Sequence, residues 1–192
     1  MADYREFEQM LIKELVKDEE LLWRGQPNPR EFFTKFDIFF IPFSLLWVGF
    51  AFFFLVKSIS LPYMSFVFVL GSIPFVIVGL YITIGRFFYK VYKKKRTMYA
   101  ITCKRIFEIF SGSRPKTKYL YFRNISGVNH IKGNNENGSI TFRTSENTSE
   151  LYANTGMDFL NRQLSYKPAF YDIDNSDIPE SMINTQLKKH NI

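Results

Sequence analysis

Residues 38–56 read IFFIPFSLLWVGFAFFFLV and contain no ionisable side chain. A second uncharged stretch, residues 58–85, is separated from the first by Lys57 alone. A helix crosses a bilayer with about 20 apolar residues, since it rises about 1.5 Å per residue. Both stretches are long enough, so the sequence predicts a membrane protein whose residues 37–86 form a hairpin of two transmembrane helices.

The charges that flank this hairpin predict its orientation. No Asp or Glu occurs between Asp37 and Glu108, whereas a dense group of cations follows the second stretch. These cations are Arg86, Lys90, Lys93, Lys94, Lys95 and Arg96. Because Lys and Arg accumulate in cytoplasmic loops, we expect both termini to lie in the cytoplasm and the protein to reside in the plasma membrane.

Residues 1–36 are predicted to form a cytoplasmic N-terminal segment rather than a signal peptide, because acidic residues are spread through them. Phe7, Leu11 and Leu15 have helical spacing and predict an amphipathic helix. We expect this helix to pack on the protein's own soluble domain, since its acids would be repelled by an anionic membrane. Lying on the membrane and binding a partner are the alternatives. Trp23 is predicted to be a membrane-interface anchor or a packing residue, since indole rings favour the headgroup level.

After Arg96 the pattern changes to short strands, and residues 97–192 are predicted to form one mainly-β domain. Strands are expected at 98–102, 105–110, 118–122, 125–131, 139–143, 150–153 and 169–173, with Gly- and Asn-rich turns between them. This spacing is typical of an antiparallel barrel or sandwich. Asp177 and Glu180 then suggest a capping box that opens an amphipathic helix. The order favours a barrel of seven strands closed by a C-terminal α-helix.

Four segments carry a resemblance to a known family. Residues 99–106 (YAITCKRI), 138–142 (GSITF) and 168–174 (PAFYDID) resemble strands of the membrane-flanked bacterial pleckstrin-homology-like domain family. Residues 22–27 (LWRGQP) are similar to the short Trp-Gly-Pro element of such proteins. The resemblance implies a PH-like barrel and a membrane location, and it implies no established activity.

The basic cluster provides the candidate site. We expect anionic lipid headgroups to be attracted by Lys90, Lys93, Lys94, Lys95, Arg96, Lys104 and Arg105. Each cation near an anionic surface contributes about 1 kcal/mol. The alternative is that the cluster only sets topology. Nucleic-acid binding is not expected, because no readout motif accompanies the charge.

Catalysis and metal binding are not expected from the sequence. No convergent set of acid, base and nucleophile appears, and no cofactor motif is present. Cys103, His130 and His190 are too few soft ligands for a structural zinc site. Asp172, Asp174 and Asp177 fail the EF-hand pattern, which, counted from Asp172, needs Gly and Glu where Asp177 and Ile183 stand.

The sequence thus predicts a non-catalytic binding module that recognises lipid headgroups or a protein partner. A scaffold or accessory subunit of a larger membrane complex is the alternative, working through helix packing and the domain surface. Small residues of the second stretch, among them Gly71 and Gly79, fit either packing between the two spans or a contact between copies.

Overall fold

The computed structural model describes residues 4–31, 33–34, 37–60, 66–133, 137–144, 153–157 and 167–190. The helices are α1 (Tyr4–Glu14), α2 (Asp37–Ser60), α3 (Phe66–Leu80), α4 (Arg86–Lys95) and α5 (Asp177–His190), with a π-helical turn at Tyr81–Gly85 and a 3₁₀ turn at Phe122–Asn124. The strands are β1 (Leu21–Gly25), β2 (Thr97–Thr102), β3 (Arg105–Phe110), β4 (Lys116–Tyr121), β5 (Gly127–Lys132), β6 (Gly138–Arg143) and β7 (Phe170–Ile173).

Two helical segments are long and apolar enough to cross a bilayer, namely Asp37–Ser60 and Phe68–Lys95. Their most apolar windows are 11% and 6% buried within the protein. A core helix of a soluble protein would be mostly buried, so these two segments differ from core helices. The predicted pair of apolar helices is therefore present.

The second apolar segment leads into the β domain without a linker. Leu80 and Arg86, which flank the π-helical turn, both have right-handed helical dihedrals, so α3, the turn and α4 follow one another as helix. β2 begins at Thr97, one residue after Arg96 caps α4. The hydroxyl of Tyr81 in the π-helical turn also donates to the Gly156 carbonyl, 2.9 Å away.

The two apolar helices pack through small residues. A Cβ at Gly79 would lie 2.8 Å from a Val48 methyl group and 3.0 Å from the Trp47 ring. On α2 the buried positions Ser44, Ala51 and Ser58 recur every seven residues. At Gly79 the interpretation of intramolecular packing is therefore confirmed.

The strands form two antiparallel sheets instead of the predicted closed barrel. One sheet has the order β1-β2-β3-β4 and the other β5-β6-β7. An isolated bridge between Pro27 and Ile173 joins the sheets on one side. Across the described residues β4 and β5 are not paired, because the 3₁₀ turn at Phe122–Asn124 redirects the chain between them. The expected seven-stranded barrel is thus corrected to two sheets joined along one seam.

β1 comes from the N-terminal segment and was not predicted. Trp23 aligns with Ile101, and Gly25 aligns with Tyr99 on β2. The chain thus crosses the whole apolar hairpin before it completes this sheet. Residues 4–31 are structurally part of the domain that follows α4.

The two central strands of the first sheet, β2 and β3, are covered on both faces, so every residue of β2 is buried. Tyr99 and Ile101 face a core shared with the second sheet and Ile183 of α5. Met98 and Ala100 face the opposite side, where they contact Phe7 and Leu11 of α1 (among the residues of a second core). The expectation that the N-terminal helix packs on the protein's own domain is confirmed.

Most predicted strands lie within two residues of the observed ones, and 105–110 coincides with β3. The predicted strand 150–153 lies largely outside the described residues, and Ala153 itself lies in a turn. The capping box does not form. Helix α5 already includes Asp177, and the Glu180 amide donates to the Ser176 carbonyl. The carboxylates of Asp177 and Glu180 instead face cationic or imidazole groups of β5.

Candidate functional site

The predicted basic cluster is divided by the helical period of α4. Arg86, Lys90 and Lys94 follow one another at intervals of four residues and therefore lie on one face. All three are buried, with relative exposures of 0%, 3% and 4%. We call them the buried basic stripe. Their face meets the protein, so the cluster is not a uniform surface for headgroups.

Arg86 joins the two apolar helices where they meet the domain. Its guanidinium forms an ion pair with the buried Asp37 at the start of α2, and its Nε donates to the Ile82 carbonyl at 2.7 Å. The guanidinium also lies over the rings of Phe40 and Phe87, at 5.5 and 4.4 Å. Such a pair has lost its hydration, so removal of either partner would leave an uncompensated charge.

Lys94 joins α4 to β7 and to the segment that follows β1. Its ammonium group donates to the carbonyls of Asn28 (3.2 Å) and Glu31, and to the carboxylate of Asp172. Asn154 donates to the same carboxylate at 2.6 Å. Asp172 lies in β7 next to Ile173, whose bridge to Pro27 joins the two sheets. The contact with Lys94 therefore holds the end of α4 against this seam.

The opposite face of α4 carries aromatic and basic side chains. Phe88, Tyr89 and Tyr92 are exposed, and Lys95 and Arg96 are exposed beyond them. The Arg96 guanidinium lies 5.3 Å from the Tyr92 ring centroid, and its Nη1 donates to the Ser111 carbonyl at 3.1 Å. Aromatic rings next to basic groups are typical of the interface between hydrocarbon and water.

The turn between β3 and β4 and the first residue of β4 each add one exposed cation, Arg114 and Lys116, to this end of the domain. Thr97 aligns with Phe110, and Phe110 aligns with Lys116, so the turn that carries Arg114 lies next to the end of α4. We define the proximal basic edge as Lys93, Lys95, Arg96, Arg114 and Lys116. Arg114 and Lys116 were missed in the sequence, although the turn and both flanking strands were predicted, because their neighbours depend on the antiparallel pairing.

Lys104 and Arg105 lie at the other end of the sheet. The six residues of β2 separate them from Arg96, which corresponds to about 20 Å at roughly 3.3 Å per residue. Lys104 Nζ donates to the Lys17 carbonyl at 3.1 Å. The sequence grouped both cations with those that follow the second apolar stretch, and the strand geometry separates them.

Arg105 is occupied by an ion pair with Glu19. Its Nη2 lies 2.9 Å from Glu19 Oε2 and its Nε 3.0 Å from Glu19 Oε1, and Thr102 donates to Oε1 at 2.6 Å. Burial tends to raise the pKa of Glu19, but the hydrogen bonds from Arg105 and Thr102 outweigh it, so the pKa lies below its ordinary value. The carboxylate is thus held ionised.

Trp23 packs within the domain. Its ring centroid lies 5.9 Å from that of Phe170, and the ring extends across Gly25, where a Cβ would lie 2.2 Å from it. The spacing Trp23-Arg24-Gly25 therefore has a packing reason, since only glycine leaves room for the indole. This position fits the packing alternative, and a membrane-anchor role for Trp23 stays a prediction.

An apolar groove of about 480 Å³ opens between the two long helices. It is lined by Trp47, Phe50, Ala51, Phe54, Ser58, Phe68, Gly71, Ser72 and Phe75. A Cβ at Gly71 would have no neighbour within 4 Å, in contrast to the closely packed Gly79. Gly79 is thus used for packing between the two long helices, whereas Gly71 lies in the open groove.

Comparison with known proteins found no matching family model, curated protein or solved structure.

Proposed function

We propose that the protein is a membrane-anchored, non-catalytic binding module whose PH-like domain is held at the inner leaflet and recognises anionic lipid headgroups. The observation that carries this proposal is the direct continuation of the second apolar segment into the domain. The nine residue steps from Arg86 to Lys95 correspond to about 14 Å along α4. Lys95 and Arg96 therefore lie close to any bilayer that surrounds the apolar helices.

The composition of the proximal basic edge supports the same proposal. It contains five cations, and the exposed rings of Phe88, Tyr89 and Tyr92 precede it on α4. Rings at the headgroup level and cations just beyond them suit a surface that carries phosphate groups. The buried basic stripe is not part of the proposed surface, because its side chains are enclosed by the protein.

The proposal is tested with the full-length protein, because a fragment that begins at Lys93 lacks β1. The protein is reconstituted in nanodiscs that contain equal amounts of phosphatidylglycerol and phosphatidylcholine, and the lipids it retains on mild release are counted by native mass spectrometry. We expect phosphatidylglycerol to be enriched at low salt and less so at high salt, because exposed charges are screened.

The variants compare opposite ends of the domain. R96Q combined with R114Q removes two cations from the proximal basic edge, and K188Q combined with K189Q removes two exposed cations from the end of α5. That end is distal, since His190 contacts the Cys103 carbonyl at the turn between β2 and β3. Enrichment of phosphatidylglycerol should fall in the R96Q/R114Q double variant and stay unchanged in the K188Q/K189Q double variant. Equal retention of both lipids by the unmodified protein would reject headgroup recognition.

A second candidate is a scaffold or accessory subunit, and the open groove favours it. A further transmembrane helix would fill the space beside Gly71 through close packing of small and aromatic side chains. Crosslinking in membranes followed by purification should recover one defined partner, and G71L should abolish its recovery. G49L is the matched control, because Gly49 also has no neighbour within 4 Å but does not line the groove. Recovery that survives G71L contradicts this candidate.

A further inference from the structure

Three ligand-type side chains converge between β5 and the first turn of α5. His130 Nδ1 lies 2.6 Å from Glu180 Oε2 and 3.9 Å from Asp177 Oδ1. One donor atom from each of these residues lies within 4.8 Å of the other two. The His130 side chain is buried, with 7% exposed, whereas both carboxylates reach solvent. We call this group the His130 cluster.

The other ring nitrogen of His130 has a partner of its own. Nε2 lies 2.8 Å from the Ser176 hydroxyl oxygen. Gly138 permits this approach, because a Cβ there would lie 2.8 Å from Nε2 and 2.3 Å from Ser176 Oγ. When Nε2 donates its hydrogen to Ser176, the lone pair of Nδ1 faces the two carboxylates. A histidine whose second nitrogen is fixed by a neighbouring oxygen has the usual environment of a metal ligand.

We propose that His130, Asp177 and Glu180 bind a divalent transition-metal ion of the Zn²⁺ class, in a site that links β5 to α5. Zinc takes imidazole nitrogen and carboxylate oxygen at about 2.0–2.2 Å, so tetrahedral ligand atoms lie about 3.4 Å apart. The distances of 2.6 and 3.9 Å from Nδ1 lie on either side of this value. Small rotations of two solvent-facing carboxylates complete the geometry.

The donor set selects the kind of metal. An imidazole favours zinc, nickel and copper, whereas calcium and magnesium prefer oxygen ligands alone. Three protein ligands leave a fourth position for water, because 67% of the Asp177 side chain is exposed. The bound ion would join strand β5 to the helix that covers the main core through Ile183.

Lys132 competes with the metal for Asp177. Its Nζ lies 2.8 Å from Asp177 Oδ1, and 69% of its side chain is exposed. Exposed ion pairs contribute little, and a lysine on its flexible stem can turn away into water. Removal of the ammonium group should therefore strengthen metal binding. A cluster with only a structural role would show no such gain.

The experiment is a calorimetric titration of Zn²⁺ into the full-length protein in detergent, with no histidine tag. One ion per chain is expected, and neither Ca²⁺ nor Mg²⁺ should compete. D177N and E180Q should each weaken binding at least about tenfold, and K132Q should tighten it. Both carboxylates reach solvent, so these variants should fold, and the buried His130 is left unchanged.

Two control variants test whether other groups bind the ion. H190Q removes the other histidine of the chain, which lies near Cys103, and E20Q removes an exposed acid at the same end of the domain. Both should retain the affinity of the unmodified protein. In a parallel thermal scan, Zn²⁺ should raise the melting temperature of the unmodified protein and of K132Q more than that of E180Q.

Two results would overturn the inference. One is the lack of stoichiometric Zn²⁺ uptake by the unmodified protein. The other is uptake that D177N and E180Q leave unchanged. The site does not depend on headgroup recognition, so its failure and the failure of the proposed function are separate.

Discussion

Arg105 Nη2 lies 2.9 Å from Glu19 Oε2, across 86 residues of sequence that include both apolar helices. Glu19 precedes β1, and Arg105 opens β3. The pair therefore joins the segment before the hairpin to the domain after it. Both side chains are nearly enclosed, with 4% of Arg105 and none of the Glu19 side chain exposed.

Loss of this pair should destabilise the domain strongly. E19Q leaves the buried Arg105 guanidinium without its counter-charge, which typically costs about 3–5 kcal/mol. We expect a melting temperature lower by roughly 10 °C or more, measured by circular dichroism of the full-length protein in detergent. E8Q is the matched control. Glu8 pairs with Arg24 at 2.8 Å, but about half of each side chain is exposed, so its change should be within about 1 kcal/mol.

The same pair predicts how stability depends on pH. The pKa of Glu19 in the folded protein lies below its ordinary value, while in the unfolded chain it is about 4.3. Stabilisation by the ionised carboxylate is therefore complete above the unfolded value and is lost as the pH falls through the folded one. The melting temperature should fall more steeply below about pH 4.3 in the unmodified protein than in E19Q. Parallel slopes would contradict the role given to Glu19.

The origin of β1 predicts which fragments fold. A fragment 93–192 lacks β1 and α1, so it exposes Met98 and Ala100 and should aggregate. A fusion of residues 4–31 to 93–192 through a flexible linker should restore a soluble domain, because Gln26 already donates to the Lys95 carbonyl at 3.0 Å. Size-exclusion chromatography and circular dichroism distinguish the two. A monomeric, folded 93–192 fragment would show that β1 is dispensable.

The ion pair of Arg86 with Asp37 predicts coupling between the two apolar helices. R86M and D37N should each destabilise the protein by about 3–5 kcal/mol, because each leaves one buried charge. The double variant should lose less than the sum of the two. Urea unfolding in detergent measures the free energy of unfolding of the single variants and of the double variant. K57Q, at the exposed opposite end of α2, is the control and should have little effect. Additive losses would contradict a direct pair.

Gly156 lies in the loop of residues 153–157, where this loop contacts the π-helical turn and leaves no room for a side chain. Its φ is +82°, and an added Cβ would lie 2.3 Å from the Arg86 carbonyl oxygen. G156A should therefore separate the loop from the helix, break the bond from Tyr81 and lower the melting temperature. G71A should be neutral, because its Cβ meets no neighbour within 4 Å. Equal thermal stability of both variants would exclude close contact at Gly156.

The elements that local patterns describe were predicted well. Uncharged length identified the two apolar helices, the pattern of short strands between turn residues located β3 at its observed bounds, and apolar spacing located α5 and α1. The basic cluster was also visible as composition. The division of this cluster into a buried face and an exposed face was not visible in the sequence. Burial of Lys94 depends on the carbonyls of Asn28 and Glu31 and on the carboxylate of Asp172, which other segments bring to it.

The sequence by itself therefore determined the apolar hairpin, the strand-rich domain and the closing helix, since each follows from the composition or the periodicity of one continuous segment. Only the tertiary structure decided that β1 completes the first sheet and that the strands form two sheets. It also decided that Arg86, Lys90 and Lys94 face inward, and that His130 meets two carboxylates of α5. These relationships join residues far apart in the chain, so they depend on how the elements pack and not on any local pattern.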